Sequence, residues 1–311
     1  MTALDSLMQY THIVADTGNL DEIRQWIPEE ATTNPTLILK AFRSEGADAL
    51  IQEASTLCGP NALPQQIAMA CSVVLAKSIL QVIPGRVSIE VDAHLSFDTD
   101  ATVLAAQQII KWAQHLGIDK RRILIKIAST WEGIQAAKIL EGQGIACNCT
   151  LIFHAVQALA CAQAGVTLIS PFVGRIYDWY KTHDLWHEGE VDPGVTSVVH
   201  IFNLLKSQWY TTEIMGASFR NIDEILALVG CDRLTIAPKF LQQLKEKNDA
   251  VSLRLVPPSK VERTPEISEK DFRWQMNQDA MATEKLAEGI RLFAKDGETL
   301  CERIKESRSR Y

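Results

Sequence analysis

The chain has 311 residues, 47% of them hydrophobic and 22% charged, with a formal net charge of −7 and a pI near 5.6. A bulk negative field argues against nucleic acid or an anionic membrane surface as partner. No apolar run approaches the roughly 18 residues of a membrane helix, and residues 1–10 lack the basic cluster and apolar core of a secretory signal.

Taken in order, short β-type runs alternate with longer helical patterns almost to the end. The first run, 12–16 (HIVAD), ends on Asp16 before Thr17-Gly18, and the second is 30–33 (EATT). Residues 36–83 hold two helical patterns separated by Cys58-Gly59-Pro60-Asn61; the second, 65–83, has apolar residues at three- and four-residue steps. The third run, 87–92 (VSIEVD), precedes a helix at 99–116 that stops at Gly117, a residue suited to a C-cap. After the fourth run, 123–128 (ILIKIA), Ser129 and Glu132 have the spacing of a capping box, which predicts a helix to 141. The runs 146–152 (ACNCTLI), 167–172 (TLISPF), 212–217 (TEIMGA) and 233–237 (RLTIA) complete the set, with a helix at 154–164.

From 239 onward no strand follows. A helix at 239–247 leads into a polar link bearing Pro257, Pro258 and Pro265, and an amphipathic pattern resumes at 280–306, with Lys305 to Arg310 expected to fray. Eight strands separated by helices predict the α/β class and a closed (β/α)8 barrel rather than an open sheet. The whole chain, 1–311, reads as one barrel domain with extra helices in 36–83 and a helical extension over 239–311.

The polar residues on the strands carry the functional signal. In 123–128 the isoleucines share one face and Lys126 the other, yet both faces look buried, as in a parallel strand covered by helices. A salt-bridged structural lysine explains that residue alone about as well as a catalytic one does. The same parity, however, turns Asp16, Glu90, Asn148, Thr150 and Ser170 inward, where a core built only for stability would use Val, Ile and Leu. A buried amine among carboxylates serves as an ion pair, an acid/base couple or a Schiff-base nucleophile. Burial favours the neutral amine and carboxylates favour its charged form, so the residues alone leave those three open.

Arg175 and Arg220 follow the sixth and seventh runs, near the place where barrel enzymes bind phosphate, and paired arginines suit that anion. Asp92-Ala93-His94 offers two metal ligands without a third, and Tyr177, Trp179 and Tyr180 read as helix packing. The seven cysteines are odd in number and follow no metal-ligand rhythm, so they read as buried hydrophobes of a reducing compartment.

Seven stretches together resemble the transaldolase family, in its long form within the Schiff-base aldolases. They are Val14 to Gly18, Ala31 to Pro35, Ser88 to Asp92, Ile125 to Thr130, Cys147 to Leu151, Ile169 to Arg175 and Met215 to Asn221, and the tail from Trp274 to Phe293 is similar too. The resemblance implies a cytoplasmic enzyme of the pentose phosphate pathway on a (β/α)8 barrel, with no cofactor and no metal. It would move a dihydroxyacetone unit from sedoheptulose 7-phosphate to glyceraldehyde 3-phosphate, giving erythrose 4-phosphate and fructose 6-phosphate.

By position, Lys126 would form the Schiff base, Glu90 and Thr150 would hold the water that relays protons, and Asp16 would take the sugar hydroxyl proton. Asn34 and Asn148 would bind donor hydroxyls, and Ser170, Arg175 and Arg220 the terminal phosphate. Related aldolases carry glutamine at the position of Glu90 and tyrosine at that of Phe172, which makes Phe172 part of the substrate site. The implied partners are sugar phosphates, neither nucleic acid nor membrane, and a homodimer is the assembly to test. Two alternatives remain: a Schiff-base fructose 6-phosphate aldolase, and a barrel that binds sugar phosphates without catalysis. An intact Lys126–Glu90–Asp16 set argues against the last, since binding does not require a buried amine.

Overall fold

A computed structural model describes residues 1–41 and 47–308. Its eight strands are β1 (His12–Ala15), β2 (Glu30–Thr32), β3 (Val87–Glu90), β4 (Ile123–Ala128), β5 (Cys147–Ile152), β6 (Leu168–Pro171), β7 (Glu213–Gly216) and β8 (Arg233–Ile236). They pair in parallel in chain order, and β8 returns to β1 to close the barrel. Every expected strand is present, β4 unchanged and the others one or two residues shorter, at the amino end in β5, at both ends in β6 and β7 and at the carboxyl end in β1, β2, β3 and β8. Asp16, Thr33 and Val91 lie just past those ends and still extend the backbone ladder through one amide each.

α1 (Ala3–Leu7) precedes the barrel, and α2 (Leu20–Trp26) joins β1 to β2. The first of the two expected patterns in 36–83 holds α3 (Pro35–Ala41) and α4 (Ala47–Cys58), with residues 42–46 outside the described residues, and the second is α5 (Pro64–Leu80). α6 (Thr99–His115), α7 (Trp131–Gly142), α8 (Ala155–Gln163), α9 (Gly174–Thr182), α10 (Pro193–Ser207) and α11 (Ile222–Ala227) fill the remaining crossovers. α12 (Pro238–Glu246), α13 (Glu269–Gln278) and α14 (Ala280–Arg308) form the tail.

Two local expectations are corrected. The cap of α7 is Thr130, whose Oγ1 accepts from Gly133 N, because Ser129 Oγ donates to the Thr150 carbonyl across the sheet. Glu132 instead pairs with Arg273 of α13. Of the stretch expected to fray, residues 305–308 are helical in α14, where the Arg308 guanidinium donates to the Ala62 and Pro60 carbonyls, and residues 309 and 310 lie outside the described residues.

The apolar strand residues face the helices in one continuous cluster that includes Ile89, Ile125, Cys147, Cys149 and Ile169. A second, small cluster of Val14, Leu124, Leu168 and Met215 fills the barrel's middle. Below it Glu30 and Glu213 alternate with Arg86 and Arg233, both carboxylates bridging both arginines at 2.5–3.0 Å. The amino end of the barrel is therefore plugged by charge pairs and its middle by apolar packing, which leaves the carboxyl end for polar side chains.

α14 crosses that end, packing on α3, α5, α9 and the end of β5. Leu151 bulges out of β5 with φ 57°, and it meets α14 at Gly289, where a Cβ would lie 2.7 Å from Leu151 Cδ2. A glycine inside a helix weakens it by about 0.5–1 kcal/mol relative to alanine. Here its missing side chain permits the approach.

Candidate active site

Lys126 lies on β4, beside Glu90 of β3 and Asn148 of β5 in register. Its side chain is 7% exposed and that of Glu90 5%, with Lys126 Nζ 3.2 Å from Glu90 Oε2. The same nitrogen donates to the Thr33 carbonyl at 3.3 Å. Over it stands the ring of Phe293 from α14, its centroid 5.7 Å away. Burial pushes the Glu90 carboxyl above its ordinary range, against the pull of Lys126 and Arg175. Asp16, just past β1, is raised for the same reason and feels Lys126, Lys40 and Arg175 in turn. The mouth of the barrel thus gathers two carboxylates, the amines of Lys126 and Lys40 and one guanidinium in a single electrostatic cluster.

The remaining candidates divide by depth. Asn148 is fully buried; its amide donates to Ser88 Oγ at 3.0 Å, and its Oδ1 accepts from Ser170 Oγ at 2.7 Å. Ser170 is therefore hydrogen-bonded to Asn148. Asn34 caps α3, its Oδ1 accepting from Leu37 N, which leaves the amide NH2 as the end to meet a ligand. Thr150 is fully buried above Asn148 on β5.

Arg175 begins α9 and is clamped between aromatic rings, with Phe172 at 4.9 Å and Phe293 at 5.6 Å. Desolvation and the nearby Arg220 depress its pKa. The two arginines are brought together by Gly174: a Cβ there would meet Ser218 O at 2.4 Å and Arg220 Cγ at 2.6 Å. Only glycine lets the β6–α9 and β7–α11 loops approach so closely. Arg220 differs from Arg175 in being exposed and already engaged, donating to Asp178 Oδ2 at 2.7 and 2.9 Å and to the Ser218 carbonyl.

Among the described residues, five buried side-chain polar atoms lack a hydrogen-bond partner: Ser55 Oγ, Glu90 Oε2, Thr150 Oγ1, Glu132 Oε2 and Arg175 Nη1. Three of the five belong to this site, where Glu90 Oε2 is met by the Lys126 amine at 3.2 Å as an ion pair and Thr150 Oγ1 and Arg175 Nη1 are open. Buried polar groups are nearly always satisfied, so a cluster of open ones marks where a ligand or water completes the network. The arrangement offers an amine with an adjacent proton carrier, and an anion seat some way along the mouth.

Sequence reasoning placed Asp16, Glu90, Lys126, Asn148, Thr150 and Ser170 inside the barrel, and they are there. It missed Phe293, the Thr33 carbonyl and the Asp178 partner of Arg220. The only hint of the first was that the tail up to Phe293 resembled the same family as the strands. Asp92 and His94 pair with each other at 2.8 Å beside the mouth, His94 also reaching Glu298 of α14 at 3.2 Å.

A model of the Transaldolase/Fructose-6-phosphate aldolase family matches residues 13–304. Transaldolase A of Escherichia coli (strain K12) is 51% identical over 304 residues, covering 95% of this chain and 96% of its own length. Transaldolase 2 of Shigella sonnei (strain Ss046) and of Salmonella paratyphi A are each 51% identical over the same shares. With its family match and relatives running nearly end to end, the chain belongs to the transaldolase/fructose-6-phosphate aldolase family.

Proposed function

We propose that the protein is a transaldolase, moving a dihydroxyacetone unit from sedoheptulose 7-phosphate to glyceraldehyde 3-phosphate. The reading is carried by one observation: a buried lysine amine 3.2 Å from a buried carboxylate, at the carboxyl mouth of a barrel. The names of the relatives support it.

In this reading Lys126 Nζ attacks the donor ketone, and the carbinolamine loses water to give an imine. Glu90, ion-paired to Lys126, and Thr150, whose buried hydroxyl is open, hold that water and carry its protons. Asp16, its carboxyl raised by burial, takes the proton of the donor C4 hydroxyl as the carbon–carbon bond breaks. Erythrose 4-phosphate leaves, and the three-carbon enamine stays on Lys126 until an acceptor aldehyde accepts its carbon. Arg175, with its open Nη1, grips the phosphate, and Arg220 joins it by relaxing its hold on Asp178. Asn34 and Asn148 hold the donor hydroxyls, and Ser170 acts through Asn148.

A second reading, fructose 6-phosphate aldolase, is covered by the same family description. Phe172 favours transfer, because a phenyl ring offers no hydroxyl to orient a water against the intermediate. Turnover of fructose 6-phosphate with and without erythrose 4-phosphate decides between them. Transfer requires the acceptor; equal release of glyceraldehyde 3-phosphate without it makes the protein an aldolase.

We further propose that the enzyme is cytoplasmic and built of single-domain subunits, with a homodimer as the assembly to test. The seven cysteines, all unpaired, support the compartment, and no described helix is long and apolar enough to cross a membrane. The apolar cluster shared by barrel helices and α14 supports one domain. Sedimentation at micromolar concentration tests the dimer.

A further inference from the structure

A chamber of about 530 Å³ lies beside the barrel mouth between α3, α5 and α14, with Pro35, Ile38, Met69, Glu90, Phe293 and Leu300 among its walls. Its rim carries exposed His94, Glu298, Glu302 and Lys305, so it opens to solvent there. Lys126 and Arg175 do not line it. Glu90 and Phe293 belong to both spaces: each lines the chamber, Glu90 is ion-paired to Lys126, and the Phe293 ring covers both Lys126 and Arg175. Of the two, Phe293 is the apolar partition and Glu90 the polar contact through it.

The helix that carries Phe293 is fastened on both sides of it. Gly289 and Ile290 seat α14 one turn before, against Leu151 and the apolar cluster. One turn after, Thr36 donates to Asp296, and His94 meets Glu298 at 3.2 Å. A chamber of this size with polar groups at rim and base admits several waters. The apolar ring is what stands between them and the amine.

We propose that Phe293 is the wall that separates the covalent intermediate on Lys126 from the solvent of the side chamber, and so sets the split between transfer and hydrolysis. The inference rests on the Schiff-base reading above. The enamine on Lys126 has two fates. In transfer, its carbon attacks the acceptor aldehyde. In hydrolysis, that carbon takes one proton and the imine carbon takes hydroxide from water. The proton left over returns to solvent, and the carbon–nitrogen bond breaks to give back the lysine amine and free dihydroxyacetone. Water adjacent to the imine carbon is needed while the intermediate waits, and excluding it protects a reactive species.

The test compares the parent with Phe293→Leu and Phe293→Ala, measuring two rates on fructose 6-phosphate. One is glyceraldehyde 3-phosphate release without acceptor, and the other is transfer to erythrose 4-phosphate. The ratio of release to transfer should rise from parent to leucine to alanine, reaching about tenfold in alanine, the change that ~1.4 kcal/mol of barrier produces. Should the alanine variant fail to fold, the leucine variant and Phe293→Val carry the same ordering. If both rates fall together and the ratio stays flat while borohydride still traps sugar on Lys126, the ring is only structural and the wall is refuted. Absence of any adduct on Lys126 in the parent would overturn the Schiff-base reading and this inference with it.

Discussion

Replacing Arg175 by methionine keeps an apolar stem between Phe172 and Phe293 while removing the guanidinium whose Nη1 has no partner. A hydrogen bond from a charged donor contributes roughly 1.5–3 kcal/mol, so binding of a phosphorylated donor should weaken about ten- to a hundredfold. Arg220→Met should cost less, at or below the bottom of that range, because its charge is already balanced by two bonds to Asp178. Neither change should much alter turnover of unphosphorylated fructose or dihydroxyacetone. The Arg175 guanidinium is desolvated and crowded by Arg220, so its removal should leave thermal stability level or slightly raised. The assay is kcat/KM on fructose 6-phosphate and on fructose for each variant, with a thermal melt beside it. Equal losses on both substrates, or a larger loss from Arg220 than from Arg175, would mean that the Arg175 guanidinium is not the main phosphate contact.

Asp16→Asn should lower kcat about 10²–10⁴-fold, the usual contribution of a general acid or base. It should also raise the melting temperature at neutral pH. Burial lifts the Asp16 pKa above its unfolded value of 3.8, so the folded state binds the extra proton and stability falls as pH climbs from that value to the folded pKa. The variant's advantage must therefore vanish at pH 3; a gain that persists there contradicts the shift. Phe172→Tyr should increase glyceraldehyde 3-phosphate release from fructose 6-phosphate without acceptor, by supplying a hydroxyl that orients water; unchanged release would remove Phe172 from the account. Glu30→Ala at the opposite end leaves Arg86 and Arg233 only Glu213 to share, which should cost about 1–3 kcal/mol in urea unfolding while specific activity of the folded enzyme holds. A loss under about 1 kcal/mol would mean that the plug is held by other contacts.

The barrel was legible because its strands are read locally. Branched residues alternate through Ile123, Ile125 and Ile127, and β4 is buried on both faces as its composition requires. Lys126 was legible as an amine out of place on that strand. What escaped was set by contacts distant in the chain. Ser129 had the right spacing to cap α7, but its hydroxyl is taken by a carbonyl 21 residues on. The pairing of Arg220 with Asp178 spans 42 residues, so nothing near either arginine told which one was free. The left-handed Leu151 and the glycine that meets it 138 positions later are each unremarkable alone, and only the fold joins them. Phe293 likewise reads as one more apolar residue of an amphipathic tail until α14 is laid across the mouth.

The Schiff-base reading stands on Lys126 holding the substrate covalently. Borohydride added with fructose 6-phosphate, followed by peptide mass spectrometry, tests it in one step. A reduced sugar-derived adduct is expected on the peptide bearing Lys126, absent without donor and absent in Lys126→Ala, which should also lose turnover. An adduct on a different lysine, or full turnover by Lys126→Ala, would contradict it.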